Sequence, residues 1–135
     1  MITVNKPVLG IREVTVLDVT KKGTEDRFTV TIEMKLKNSE RSFKDVIFFD
    51  AENTSRVAVY PAILRALAEQ IELPESEFIV DNGETIDYDD APVLEAIKGK
   101  DIVIERTSVN SDRNGKTYYN VSYRPNQIEQ EDVEV

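Results

Sequence analysis

The sequence predicts a mainly β domain in which one helix separates three N-terminal strands from two C-terminal ones, and three stretches carry that expectation. Phe28, Val30, Ile32, Met34 and Leu36 alternate with Thr29, Thr31, Glu33, Lys35 and Lys37, the period-two pattern of a strand with one buried face. Between Ser55 and Leu73 the apolar spacing turns helical, with Val57, Tyr60, Leu64, Leu67 and Ile71 on one face and Ile63 and Ala68 beside it. From Asp101 to Arg124 two strand-like runs flank a polar connection containing Asn114-Gly115, a pair that favours the positive φ of a tight turn.

The remaining elements follow in chain order. Ile11 to Thr20 is rich in Val, Ile and Thr and reads as the first strand, with Lys21 to Asp26 as a hairpin-type connection to the second. Phe43 to Asp50 reads as the third strand, after the polar turn Asn38-Ser39-Glu40-Arg41. Pro61 lacks a backbone donor and suits a helix start, first turn or kink, so the firm part of the helix is expected from Pro61 to Leu73, where Pro74 stops it. Glu75 to Asp90 reads as a long acidic loop with a short extended piece at Phe78-Ile79-Val80, and Pro92 to Ile97 as one or two helical turns ended by Gly99. Three strands, a helix and two strands are the order of an OB-fold, so the expected architecture is a five-stranded OB-like barrel with one helix between strands 3 and 4. Residues 1–125 form that domain, and residues 126–135 read as a disordered acidic tail.

Composition excludes several chemistries. With no cysteine and no histidine there is no disulfide, thiolate zinc site or imidazole base. Asp81, Glu84, Asp87, Asp89 and Asp90 offer hard oxygen ligands, but Asp87-Tyr88-Asp89-Asp90-Ala91-Pro92 lacks the glycine and distal glutamate of a calcium loop. Neither a nucleophile motif nor a phosphate-cradling glycine loop accompanies these carboxylates, so a binding protein without cofactor or metal is expected, not an enzyme. No stretch approaches the ~20 apolar residues of a membrane span, and Met1 to Lys6 lacks the pattern of a secretory signal, so a cytoplasmic protein without a membrane partner is expected.

The net charge of −9 is unevenly distributed. Glu69 to Asp90 holds nine acidic residues and no basic one, and Glu129, Glu131, Asp132 and Glu134 add four more, so the rest of the chain carries +4. In the last strand, Tyr119, Val121 and Tyr123 share one face and read as core, whereas Lys116, Tyr118, Asn120, Ser122 and Arg124 share the other. An aromatic plate among cations is what a single-stranded nucleic acid needs, stacking for bases and charge for phosphates. Arg106 and Arg113 extend that expected surface, and Lys35, Lys37, Arg41 and Lys44 add backbone contacts. Read singly, each of these is an ordinary solvated side chain on a sheet face.

Leu94-Glu95-Ala96-Ile97-Lys98-Gly99-Lys100-Asp101-Ile102-Val103-Ile104, then Asn114-Gly115-Lys116-Thr117-Tyr118-Tyr119-Asn120-Val121 and Pro125, resembles the C-terminal half of phage-encoded OB-fold single-stranded DNA-binding proteins of replication or recombination. The resemblance covers residues 94–125 in motif and the rest in outline. It implies single-stranded DNA as ligand, contacts through the sheet and hairpin, and a host cytoplasmic location. Glu129 to Val135 resembles the acidic ends of such proteins, which implies recruitment of replication or recombination partners through Glu129, Glu131, Asp132 and Glu134. The acidic excess from Glu69 to Asp90 departs from that pattern and supports a rival expectation, an acidic protein-interaction or DNA-mimic inhibitor module. A structural phage protein that forms homo-oligomers is the third.

Overall fold

The structure, a computed structural model, describes residues 1–3, 8–110 and 113–124. Strands β1 (Gly10–Gly23), β2 (Arg27–Leu36) and β3 (Ser42–Asp50) are followed by helix α1 (Thr54–Gln70) and a 3-10 turn at Glu75–Glu77. Two short strands, β4 (Ile79–Asp81) and β5 (Ile86–Tyr88), precede helix α2 (Asp90–Ile97) and the closing strands β6 (Asp101–Asn110) and β7 (Thr117–Tyr123). The long strands form one antiparallel sheet in the order β3-β2-β1-β6-β7, and β4 pairs only with β5. Mainly β organisation is thus as the sequence predicts, while the described backbone ladder stays open between β3 and β7.

The alternation of β2 places Phe28, Val30, Ile32, Met34 and Leu36 in the core. Val14, Val16 and Val19 of β1 and Ile102 and Ile104 of β6 join them, under a lid of Tyr60, Leu64 and Leu67 from α1 and Val93, Leu94 and Ile97 from α2. The sheet curls strongly around this core. Laid flat, its two edges would stand roughly 19 Å apart at the usual strand spacing, yet the Tyr123 hydroxyl on β7 donates to Asp45 Oδ2 on β3 at 2.6 Å. A register irregularity between Val16 and Asp18 leaves Leu17 as an extra residue in β1, and a bulge of this kind sharpens local twist.

Two local expectations change. Helix α1 begins seven residues before Pro61, because Asn53 caps it by accepting the Arg56 backbone N–H at 3.2 Å. Pro61 therefore lies inside the helix, where packing of Tyr60 against Phe28 and Phe49 offsets the missing donor. The helix ends at Gln70, short of the expected Leu73, as Glu72 turns left-handed with φ 58° and the Leu73 N–H reaches back to the Ala68 carbonyl at 2.8 Å. Left-handed backbone is strained for any residue with a Cβ, so Glu72→Gly should raise unfolding stability by about 1 kcal/mol in a urea titration.

The expected loop from Glu75 to Asp90 is ordered as the 3-10 turn and the β4–β5 hairpin. Asn82-Gly83 forms the bend, with Gly83 at φ 92° and its N–H donating to Asp81 Oδ1 at 2.9 Å. Phe78 anchors the segment in the core. Two helices and a two-stranded sheet, instead of one helix, thus separate the third long strand from the fourth. Among the described residues no helix is long and apolar enough to cross a membrane.

Candidate nucleic-acid interface

The ladder between β1 and β6 ends at the Gly10–Arg106 pair, while β6 and β7 continue pairing to Asn110 and Thr117. Beyond Arg106 the hairpin has no strand partner on the β1 side among the described residues, and every side chain of Thr107–Asn110 and Thr117–Asn120 is exposed. This arm carries two tyrosines on opposite faces. Tyr118, 49% exposed, lies across from Val109 on the outer face, its hydroxyl accepting from Asn114 Nδ2 at 2.8 Å. Tyr119, 45% exposed, lies on the inner face. It is expected in the core, but the arm extends past the end of the β1–β6 ladder and leaves it exposed.

Arg106 pairs with Val121 across the hairpin and so shares the inner face with Tyr119, not the outer face with Tyr118, Lys116 and Arg124 as expected. Its guanidinium carbon lies 4.1 Å from the centroid of Phe43 on β3 and 5.7 Å from that of Tyr119, within cation–π range of both rings. Among the described residues it makes no ion pair. Burial pulls its pKa below the ordinary arginine value, with the neighbouring Tyr119 opposing, and the group remains a cation throughout the working range of pH. A half-buried guanidinium between two aromatic faces, without a carboxylate, can accept a phosphate and a stacked base together.

A second guanidinium joins this end of the sheet. Arg12 folds back over Gly10, to within 3.9 Å of where a Cβ would stand, and Gly10 is the residue across the ladder from Arg106. Arg12, Lys37 and Arg41 also line a shallow cleft of about 420 Å³ beside Leu36. The sequence-predicted residues therefore divide into three groups. Arg41 and Lys37 share the cleft with Arg12, and Arg106 lies against Phe43; Arg12 and Phe43 are residues the sequence reading missed. Lys116, Arg113 and Tyr118 lie on the exposed arm. Lys35, Lys44 and Arg124 lie on or beside the outer sheet face.

Several of these cations are engaged by carboxylates. Lys37 Nζ lies 3.2 Å from both Glu13 and Asp101, which hold its pKa above the ordinary lysine value through hydrogen bonds first and charge second. Lys44 pairs with Glu33 at 3.7 Å, and Arg124 with Glu105. The outer face is accordingly a mixed-charge surface. The tail residues Glu129, Glu131, Asp132 and Glu134 lie outside the described residues.

The Asp45–Tyr123 bridge closes the curl at the seam where no backbone ladder does. Burial pushes the Asp45 carboxyl up, against the opposing hydrogen bond from Tyr123. The folded protein therefore holds this proton more tightly than the unfolded chain, and the contribution of Asp45 to stability falls as pH rises from the ordinary value of 3.8 through its raised value. Asp45→Asn, which still accepts the Tyr123 hydrogen bond, should flatten that decline; urea unfolding at a series of pH values between pH 4 and pH 7 measures it.

No protein-family model matches the chain, and no curated protein matches it significantly. The functional reading therefore rests on the constellation itself. Arg106 and Arg12 lie with Phe43 and Tyr119 where the arm leaves the sheet, while the acidic β4–β5 hairpin joins the fold beside Phe28. Phe28 and Leu36 mark opposite ends of β2, roughly 25 Å apart along the strand. A chain of net charge −9 can thus carry a basic working end.

Proposed function

We propose that this chain is a non-catalytic binding protein for single-stranded DNA, built as an OB-like half-barrel whose two edges meet at the Asp45–Tyr123 seam. The observation that supports this most is Arg106, held between Phe43 and Tyr119 with no carboxylate partner among the described residues. The strand runs from that clamp onto the arm. Phosphates meet Arg106, Arg12, Arg41 and the arm cations Arg113 and Lys116, and unpaired bases stack on Tyr119 and Tyr118. Stacking on exposed rings demands bases freed from a duplex and accepts any base, so little sequence preference is expected. A role in phage-type replication or recombination agrees with the resemblance of residues 94–125.

Titration of fluorescein-labelled oligo-dT by anisotropy tests the reading. Binding that weakens steeply with salt is expected, because each phosphate contact releases a counterion. Absence of binding at low salt would sink the proposal, and duplex binding as tight as single-strand binding would remove its stacking basis.

A further inference from the structure

At the other end of the sheet an aromatic cleft of about 420 Å³ opens between the β1–β2 turn, α1 and the start of α2. Phe28 and Phe49 stack with centroids 4.8 Å apart, and Tyr60 meets Phe28 edge-on at 5.3 Å. Asp90 Oδ2 accepts two hydrogen bonds here, from the Tyr60 hydroxyl at 2.6 Å and from the Lys21 ammonium at 2.7 Å. Burial, and then Asp90, push the Tyr60 hydroxyl far above its ordinary pKa, so it stays a donor at physiological pH.

Lys21 shows what this cleft accommodates. Its ammonium lies 4.1 Å from the Phe28 centroid while bonded to Asp90, so an aromatic face and a carboxylate already hold one alkylammonium. The Lys21 side chain is 39% exposed and that of Asp90 14%, so the ammonium meets the carboxylate from the solvent side of the cleft. The same lining presents Glu25, Asp89 and Asp90 against this single lysine, so the cleft keeps a negative balance with Lys21 in place. Asp90 Oδ1 accepts no hydrogen bond among the described residues.

We propose that this cleft binds the ammonium group of a lysine side chain on a partner protein, which takes over from Lys21 the contacts to Phe28 and Asp90. A lysine carried on a polypeptide fits better than a free amine, because the acidic β4–β5 hairpin leads away from the cleft at Tyr88 with Val80 and Ile86 exposed. Those positions supply apolar and charged contact beyond the reach of one ammonium. The site lies at the opposite end of β2 from Arg106, and the proposal does not depend on the DNA reading.

The test uses the full chain and a short alanine-based peptide carrying two lysines, followed by the aromatic ring signals in NMR. Saturable shifts of Phe28, Phe49 and Tyr60 are expected, and none with the same peptide carrying norleucine in place of lysine. Lys21→Met, which removes the internal competitor, should tighten peptide binding roughly three- to tenfold. A merely structural Lys21 would leave that affinity unchanged, and an unchanged or weaker affinity overturns the proposal. So do peptide-induced shifts confined to Asp81–Asp87, the signature of diffuse attraction to the acidic hairpin. Butylammonium binding as tightly as the peptide would overturn the assignment to a protein partner. Oligo-dT affinity should be the same in Lys21→Met as in the parent protein, which separates this outcome from failure of the DNA reading.

Discussion

Arg106→Ala should weaken oligo-dT binding roughly tenfold and lower the slope of log affinity against log salt by about 0.7, the amount for one lost phosphate contact on a single strand. Tyr119→Ala should lose a similar affinity and leave the slope unchanged, since stacking releases no counterion. Arg106→Lys keeps the charge but not the planar group that lies between Phe43 and Tyr119, so it should preserve the slope while recovering only part of the affinity. Lys44→Ala is the comparison: its ammonium faces Glu33 on the outer sheet, and a loss below about twofold is expected. Equal losses at Lys44 and Arg106 would mean general electrostatic attraction instead of a clamp. Anisotropy titrations at several salt concentrations, with urea midpoints to confirm folding, give all four results.

The closing hairpin was legible in the sequence, whereas the face that Arg106 occupies and the exposure of Tyr119 were misread. Alternation in a strand sorts side chains into two faces; β2 and β7 were sorted by that pattern, while β1 was legible from its Val, Ile and Thr content. Arg106 follows Ile102 and Ile104 at period two, so its inner face was legible in β6 itself, and only its partner Val121 needed the register. Tyr119 was legible as an inner-face residue. What could not be read was that the β1–β6 ladder ends at Gly10, so that among the described residues no strand lies over the inner face of the arm. Phe43 and Arg12 escaped notice because each reads as an ordinary member of its own strand, and only the curl of the sheet brings Phe43 beneath Arg106.

The other misses have equally local causes. Strands of three residues are too short to show alternation, so the β4–β5 hairpin looked like a loop despite its Asn82-Gly83 bend. Helical spacing from Ser55 was legible, but Pro61 moved the firm start seven residues too late, since its cost is offset by packing that propensity does not report. The carboxylates that engage Lys37, Lys44 and Arg124 come from other strands. Lysines that alternate along a strand therefore carry no signal of whether a phosphate can displace their partners.

The largest stability effect is expected at Gln70, the last residue of α1. The β6–β7 ladder begins at Ile104 and Tyr123, which leaves the Val103 peptide groups on that side without a strand partner. The Gln70 carboxamide takes the missing place: Oε1 accepts the Val103 N–H at 2.7 Å, and Nε2 donates to the Val103 and Arg124 carbonyls at 2.8 and 2.6 Å. One side chain thus acts as an added peptide unit and ties the helix to the root of the arm. Gln70→Ala removes the side chain that bridges the Val103 N–H and the Val103 and Arg124 carbonyls in a half-buried position, and a loss of about 2–4 kcal/mol follows from the lost hydrogen bonds and the desolvation of the Val103 groups. Gln70→Glu retains the acceptor but turns an anion toward two carbonyl oxygens, so at neutral pH it should be at least as unstable as the alanine variant. Its carboxyl is then held protonated in the folded protein, and a proton supplies the donor that glutamate lacks. The sign follows: the folded pKa is raised, stability is recovered at acid pH, and it is lost as pH rises through that value. Urea unfolding should therefore show Gln70→Glu regaining stability relative to Gln70→Ala below about pH 5. A constant difference between the two variants across pH would mean that the amide does not bridge helix and ladder.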